Sequence, residues 1–154
     1  MTRVRRIGFQ HERDLARKLW ELGFAVVRAP ASGSKAKRVK YPDVVAILNR
    51  NVYAFEVKTT HRERTIYIPR HQVEKLVEFT KRAGGEGFIA VKIIGEGVWK
   101  LVPLTQLVET SSGNYKIEAE TLSKALKLRD LLTLARGNTR IDDFLKHKTP
   151  DTQS

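Results

Sequence analysis

Leu15, Leu19 and Leu22 recur at helical spacing, and they place one apolar stripe on a segment from Ile7 to Leu22 that Gly23 ends. The pattern then shortens. Phe24–Arg28 reads as a brief strand, and Ala29–Lys40 is a loop rich in Ser, Gly and Lys, too polar for a core. Asp43–Leu48 is apolar after its first residue, as expected of a strand buried on both faces. Asn49-Arg50-Asn51 makes a tight connection to a return strand over Val52–Thr59. A short strand at Thr65–Ile68 precedes a second helix over Arg70–Ala83, stopped by Gly84-Gly85. Gly87–Ile93 and Val98–Val102 read as strands joined through Gly95-Glu96-Gly97. Leu104–Leu132 predicts a loop followed by a C-terminal helix, and from Gly137 the chain is polar and charge-balanced, the pattern of a flexible tail. The sum is one α/β domain over 1–136 with a mixed, twisted central sheet flanked by helices, a basic arm over 1–6 and a tail over 137–154.

Four residues break this pattern. Glu12 stands three, four and seven positions before Leu15, Ala16 and Leu19, on the stripe that faces the core. A carboxylate there needs a partner, a proton or a metal ion, because burying it bare is prohibitive. Asp43 opens the apolar strand directly after Pro42, and Glu56 and Lys58 fall on one face of the next strand. Pro-Asp followed by Glu-x-Lys fits an exposed alternating strand as well. Here, though, the strands are apolar on both sides, an inward Glu precedes them and a basic loop adjoins them. Glu12, Asp43 and Glu56 supply the hard oxygen ligands that suit Mg²⁺, or Mn²⁺ in its place. Lys58 suits orientation of an attacking water or neutralisation of a developing oxyanion. The chemistry indicated is phosphodiester hydrolysis. The four histidines lack metal-ligand spacing, and no nucleotide-binding glycine loop occurs.

Charge supplies the partner. The chain carries 29 Lys and Arg against 17 Asp and Glu, a net charge of +12. Eleven of the basic residues and only three acids lie in residues 1–41, so most of the excess is concentrated there. Such a cluster points to a polyanion. The absence of cysteine excludes disulfides and thiolate metal sites. With no apolar run long enough to span a bilayer and no signal-like N-terminus, a cytoplasmic location is expected.

The run Gly23-Phe24-Ala25-Val26-Val27-Arg28-Ala29-Pro30-Ala31-Ser32-Gly33-Ser34-Lys35 resembles the equivalent segment of archaeal Holliday junction resolvases. So do Pro42-Asp43-Val44-Val45-Ala46, Glu56-Val57-Lys58 and the helix from Gln72 to Gly84-Gly85, in order over about residues 6–105. The resemblance implies a restriction-endonuclease-like fold and a homodimeric, Mg²⁺-dependent nuclease that makes paired nicks in four-way DNA junctions. It implies catalytic roles for Glu12, Ser32, Asp43, Glu56 and Lys58. Arg13 and Arg28 would handle phosphates, Lys35 would serve DNA binding from the same loop as Ser32, and Arg5 and Arg6 would reach the junction from the arm. Leu76 and Phe79 are candidates for the dimer surface, or for ordinary packing on the sheet. Competing readings are a same-fold nuclease acting on flaps, a junction-binding module that does not cut, and an RNA-binding protein. Separately, Asn138, Ile141, Phe144 and Leu145 are spaced like a short sliding-clamp docking motif, which would add a clamp to the partners.

Overall fold

The computed structural model describes residues 3–29 and 39–148. Its centre is a five-stranded sheet in the order β1-β2-β3-β5-β6, formed by Ala25–Arg28, Val44–Leu48, Asn51–Thr60, Glu86–Ile93 and Val98–Pro103. All neighbours are antiparallel except β3 and β5. That parallel pair requires a crossover, which β4 (Ile66–Ile68) and helix α2 (Arg70–Ala83) provide.

Helix α1 (Arg3–Glu21) covers one face of the sheet. Leu15 and Leu19, fully buried, enter a core with Phe24, Val44, Ala46, Phe55 and Phe88. Each contributes about 1.5–3 kcal/mol by burial. The opposite face packs beneath α2, where Val73 and Leu76 meet Ala54, Ile89 and Val91. Strand β3 therefore has core on both sides, with Phe55 facing α1 and Ala54 facing α2. Leu76, fully buried, and Phe79, partly buried, serve this second core, so Leu76 is excluded from a dimer surface.

The β2–β3 hairpin turns on Asn49 and Arg50, both at positive φ (53° and 69°). A two-residue hairpin of this hand demands that conformation. Asn49 and Asn51 donate side-chain bonds to Asn138 Oδ1 and to the Ala135 carbonyl, which locks the turn to the C-terminal helices.

Three expectations are corrected. Helix α1 begins at Arg3, so Arg5 and Arg6 stand on the helix rather than on an arm before it. The stretch after Leu104 is not mainly loop. Strands β7 (Val108–Glu109) and β8 (Tyr115–Ile117) join β4 in a second sheet, and short α3 (Ala119–Ser123) precedes α4 (Leu128–Gly137). The expected flexible tail holds helix α5 (Ile141–Lys148). Ile141 is buried, and Phe144 and Leu145 pack against the α1-side core. The apolar residues of the clamp-like motif are thus turned onto the domain. Among the described residues no helix is long and apolar enough to cross a membrane.

Candidate active site

Asp43 sits one residue before β2 and is held from three directions. Its amide donates to the Phe55 carbonyl (2.9 Å) and its carbonyl accepts from the Ala29 amide (2.9 Å). Its side-chain Oδ2 accepts from the Val57 amide at 2.8 Å, which aims the carboxylate at the middle of β3.

Alternation on β3 carries Glu56 and Lys58 to the α2 face, two and four residues beyond Ala54. Glu56 is 5% exposed, the only acidic residue so deeply buried among those described. Two α2 side chains three residues apart stand over this pair, as one helical turn permits. Lys58 Nζ donates to Gln72 Oε1. Lys75 Nζ lies 3.0 Å from Glu56 Oε1. That contact is an ion pair by distance, yet the same buried oxygen has no well-directed hydrogen bond. We read it as charge pairing without hydrogen-bond geometry.

Burial raises Glu56 to about 7, and the neighbouring Asp43 pushes the same way against Lys75 and Lys58. Glu12, half-buried on α1, is likewise raised to about 7, first by burial and then by Asp43, with Arg28, Lys75 and Arg13 opposing. Carboxylates from α1, the start of β2 and the middle of β3 thus feel one another, and a lysine from β3 adjoins them. Asp43 therefore links Glu12 electrostatically to Glu56, and Lys58 acts on Glu56 in turn, although among the described residues no three acidic or histidine side chains are grouped as they would be around an ion. Arg28 and Arg13 stand close enough to act on Glu12. Ser32 and Lys35 lie outside the described residues, as do the side chains of Arg5 and Arg6.

A family model described as archaeal Holliday junction resolvase (hjc) matches residues 3–140. The chain belongs to that family. It is 38% identical to the crossover junction endodeoxyribonuclease Hjc of Sulfurisphaera tokodaii, over 90% of this chain and 95% of that protein. Identity with the corresponding protein of Sulfolobus acidocaldarius is 35%, over 90% and 96% of the two chains. The solved structure of Archaeoglobus fulgidus Hjc, a Holliday junction resolvase, superposes with a TM-score of 0.71 at 31% identity, covering 82% of this chain and 95% of that one.

This resolvase-family chain also contains a polar anchor that its sequence did not announce. Asp14 accepts from Trp99 Nε1 (2.9 Å) and Lys92 Nζ (3.1 Å), and pairs with Arg17 and Lys18. Burial alone would raise Asp14, but the bonds from Trp99 and Lys92 and the charge of Lys18 outweigh it and hold the carboxyl at about 2. The anchor ties α1 to β5 and β6 and fixes the roll of the helix two residues from Glu12. Gln72 and Lys75 were missed as well. The usable signal was their three-residue spacing, which matches the two-residue spacing of Glu56 and Lys58 across a helix-on-strand contact.

Proposed function

We propose that this chain resolves four-way DNA junctions by hydrolysing one phosphodiester in each of two strands, as a homodimer with Mg²⁺, or Mn²⁺ in its place. Glu12, Asp43, Glu56 and Lys58 form the hydrolytic site. The observation that carries the reading is the buried Glu56 carboxylate, beside Asp43 and two residues from Lys58, in a chain of net charge +12.

The donor set suits a hard divalent cation. It consists of carboxylate oxygens, and one of them, Glu56 Oε1, is buried with no well-directed hydrogen bond. Mg²⁺ keeps several waters and shares phosphate oxygens, so it needs few protein ligands. Asp43 and Glu56 would hold it, with Glu12 completing the shell directly or through water. When bound, the ion supplies positive charge beside the scissile phosphate and acidifies water. Lys58, aimed by Gln72, orients the attacking water and offsets negative charge as it develops on the phosphate. Arg28 and Arg13, beside Glu12, present guanidinium groups to flanking phosphates.

A two-fold dimer gives one active site per strand of an approximately two-fold junction. The α2 side of the sheet offers the surface. Val26 and Ala46 face α1, so Val27 and Ile47 face the other way, where they are 63% and 37% exposed. A separate groove combines Val39, Tyr41, Phe79 and Ala83 with the charged Lys40, Glu78 and Arg82. An uncovered apolar face like that of Val27 and Ile47 suits a second copy of the chain.

The test is cleavage of a synthetic immobile four-way junction in Mg²⁺, each strand labelled in turn. Paired nicks on opposite strands are the expected result. Faster cutting of flaps than of junctions would reassign the chain to the flap-nuclease reading. Tight binding without cutting would make it an architectural module.

A further inference from the structure

Lys75 has no role in the hydrolytic set, yet its ammonium stands inside it. From α2 it reaches to 3.0 Å from Glu56 Oε1, and it is near enough to Glu12 to stabilise that carboxylate too. A lysine on the flank of an amphipathic helix ordinarily extends its ammonium to water. Here the lysine side chain is 25% exposed and that of Glu56 only 7%. The carboxylates, meanwhile, are not arranged as a finished ligand set. Among the described residues no three acidic or histidine side chains are grouped as they would be around an ion. Two of the carboxylate oxygens are already engaged. The Val57 amide occupies Asp43 Oδ2, and Glu56 Oε1 is engaged by Lys75 without a well-directed hydrogen bond.

Resting on the reading of Glu12, Asp43 and Glu56 as ligands, we propose that Lys75 is a positioning residue that stands in for the divalent cation. It balances Glu56 while the site is metal-free and releases that carboxylate when the ion binds. Linkage then fixes the consequences. Whatever the pair contributes to the metal-free fold is subtracted from ion affinity. Removing the ammonium should weaken the metal-free fold and tighten ion binding together. A lysine that merely packs would affect the fold alone. A lysine that pre-orients Glu56 for the ion would leave the variant with weaker binding, the opposite sign.

The experiment titrates Mn²⁺ into the full chain without DNA, reading free ion by electron paramagnetic resonance at about pH 8.5, above the ordinary carboxylate range. Lys75→Met should bind Mn²⁺ roughly tenfold more tightly than wild type, equivalent to about 1.4 kcal/mol. In chelator it should melt lower than wild type, and saturating Mn²⁺ should close the gap. Lys75→Arg keeps a cation in place and should restore both wild-type values. Lys75→Gln repeats the comparison should the methionine variant fold poorly. Glu56→Gln is the control. It should weaken Mn²⁺ binding by itself and cancel the gain from Lys75→Met in the double variant. Unchanged or weaker binding in both neutral Lys75 variants would overturn the stand-in role while leaving Glu56 a ligand. Unchanged binding in Glu56→Gln would remove the ligand reading, and the stand-in role with it.

Discussion

Glu56→Gln separates what the buried carboxylate costs from what it does. In the folded protein burial and Asp43 raise Glu56 from 4.5 to about 7. At 1.36 kcal/mol per pH unit, that difference amounts to about 3 kcal/mol. The folded state holds this proton more tightly than the unfolded chain, so the metal-free protein is favoured by acid. On account of Glu56, stability is full below about pH 4.5 and is lost as pH rises through about 7. For a chain of this size each kcal/mol moves the melting temperature by roughly 2–4 °C, so the loss corresponds to roughly 6–12 °C. Glu12 acts in the same direction, but its partial exposure screens it. The amide of the Glu56→Gln side chain has no such proton to lose, so the variant should lack this component. Melting of wild type and Glu56→Gln in chelator, at half-unit steps from about pH 4.5 to 8.5, isolates it as the difference between two curves. Asp14, held at about 2, titrates outside this window and cancels. Above pH 7 the variant should be the more stable of the two, by less than the full amount because Lys75 loses its partner. Addition of Mg²⁺ should stabilise wild type and not the variant. Parallel curves across the range would refute the claim that Glu56 is buried as a costly anion.

Other consequences follow from the same geometry. Asp43→Asn and Lys58→Ala should each slow junction cleavage by about a hundredfold or more, with junction affinity within a few fold; wild-type cleavage by either would displace that residue from the site. Asp14→Asn removes a carboxylate whose contribution is full above about pH 4 and is lost as pH falls towards 2. At neutral pH it should melt roughly 2–4 °C lower, about 1 kcal/mol after solvent screening, and an unchanged melt would show the anchor to be idle. Ile47→Glu puts a charge on the uncovered face of β2 and should yield monomers in sedimentation, whereas an intact dimer would move the interface elsewhere.

The main sheet was readable because its strands are long or uniformly apolar. Asp43–Leu48 and Gly87–Ile93 left few alternatives, and Gly84 ends α2 in the left-handed conformation (φ 68°) that its position implied. Of the second sheet only β4 was readable, as the short strand at Thr65–Ile68, while β7 and β8 were not. Those two span two and three residues, too few for a period of two to appear. Helix α5 was hidden for a different reason. Four residues in its eight are charged, so composition resembled a solvated tail, while its packing depends on where α4 delivers it. Asn138, capping α4 at φ 51° and bonded to Asn49 and Asn51, sets that delivery through contacts nearly ninety positions apart in the chain.

The site divides along the same physical line. Glu12, Asp43, Glu56 and Lys58 stood out because each violates the rule that a charge avoids an apolar stripe or buried strand. Gln72 and Lys75 violate nothing. They lie on the flank of an amphipathic helix where glutamine and lysine are ordinary, and become informative only once α2 is set across β3 with Gln72 above Lys58 and Lys75 above Glu56. A linear pattern exposes a charge that must be explained, and it conceals the neutral or opposite charge that explains it, because the second residue is free to sit wherever a helix flank allows. Asp14 shows the same asymmetry. Its carboxylate looks like half of a surface pair with Arg17 or Lys18, but the bonds that fix α1 come from Lys92 and Trp99 on strands far along the chain. The partners of buried charges, rather than the charges themselves, are therefore where a folded structure adds most to a reading of this chain.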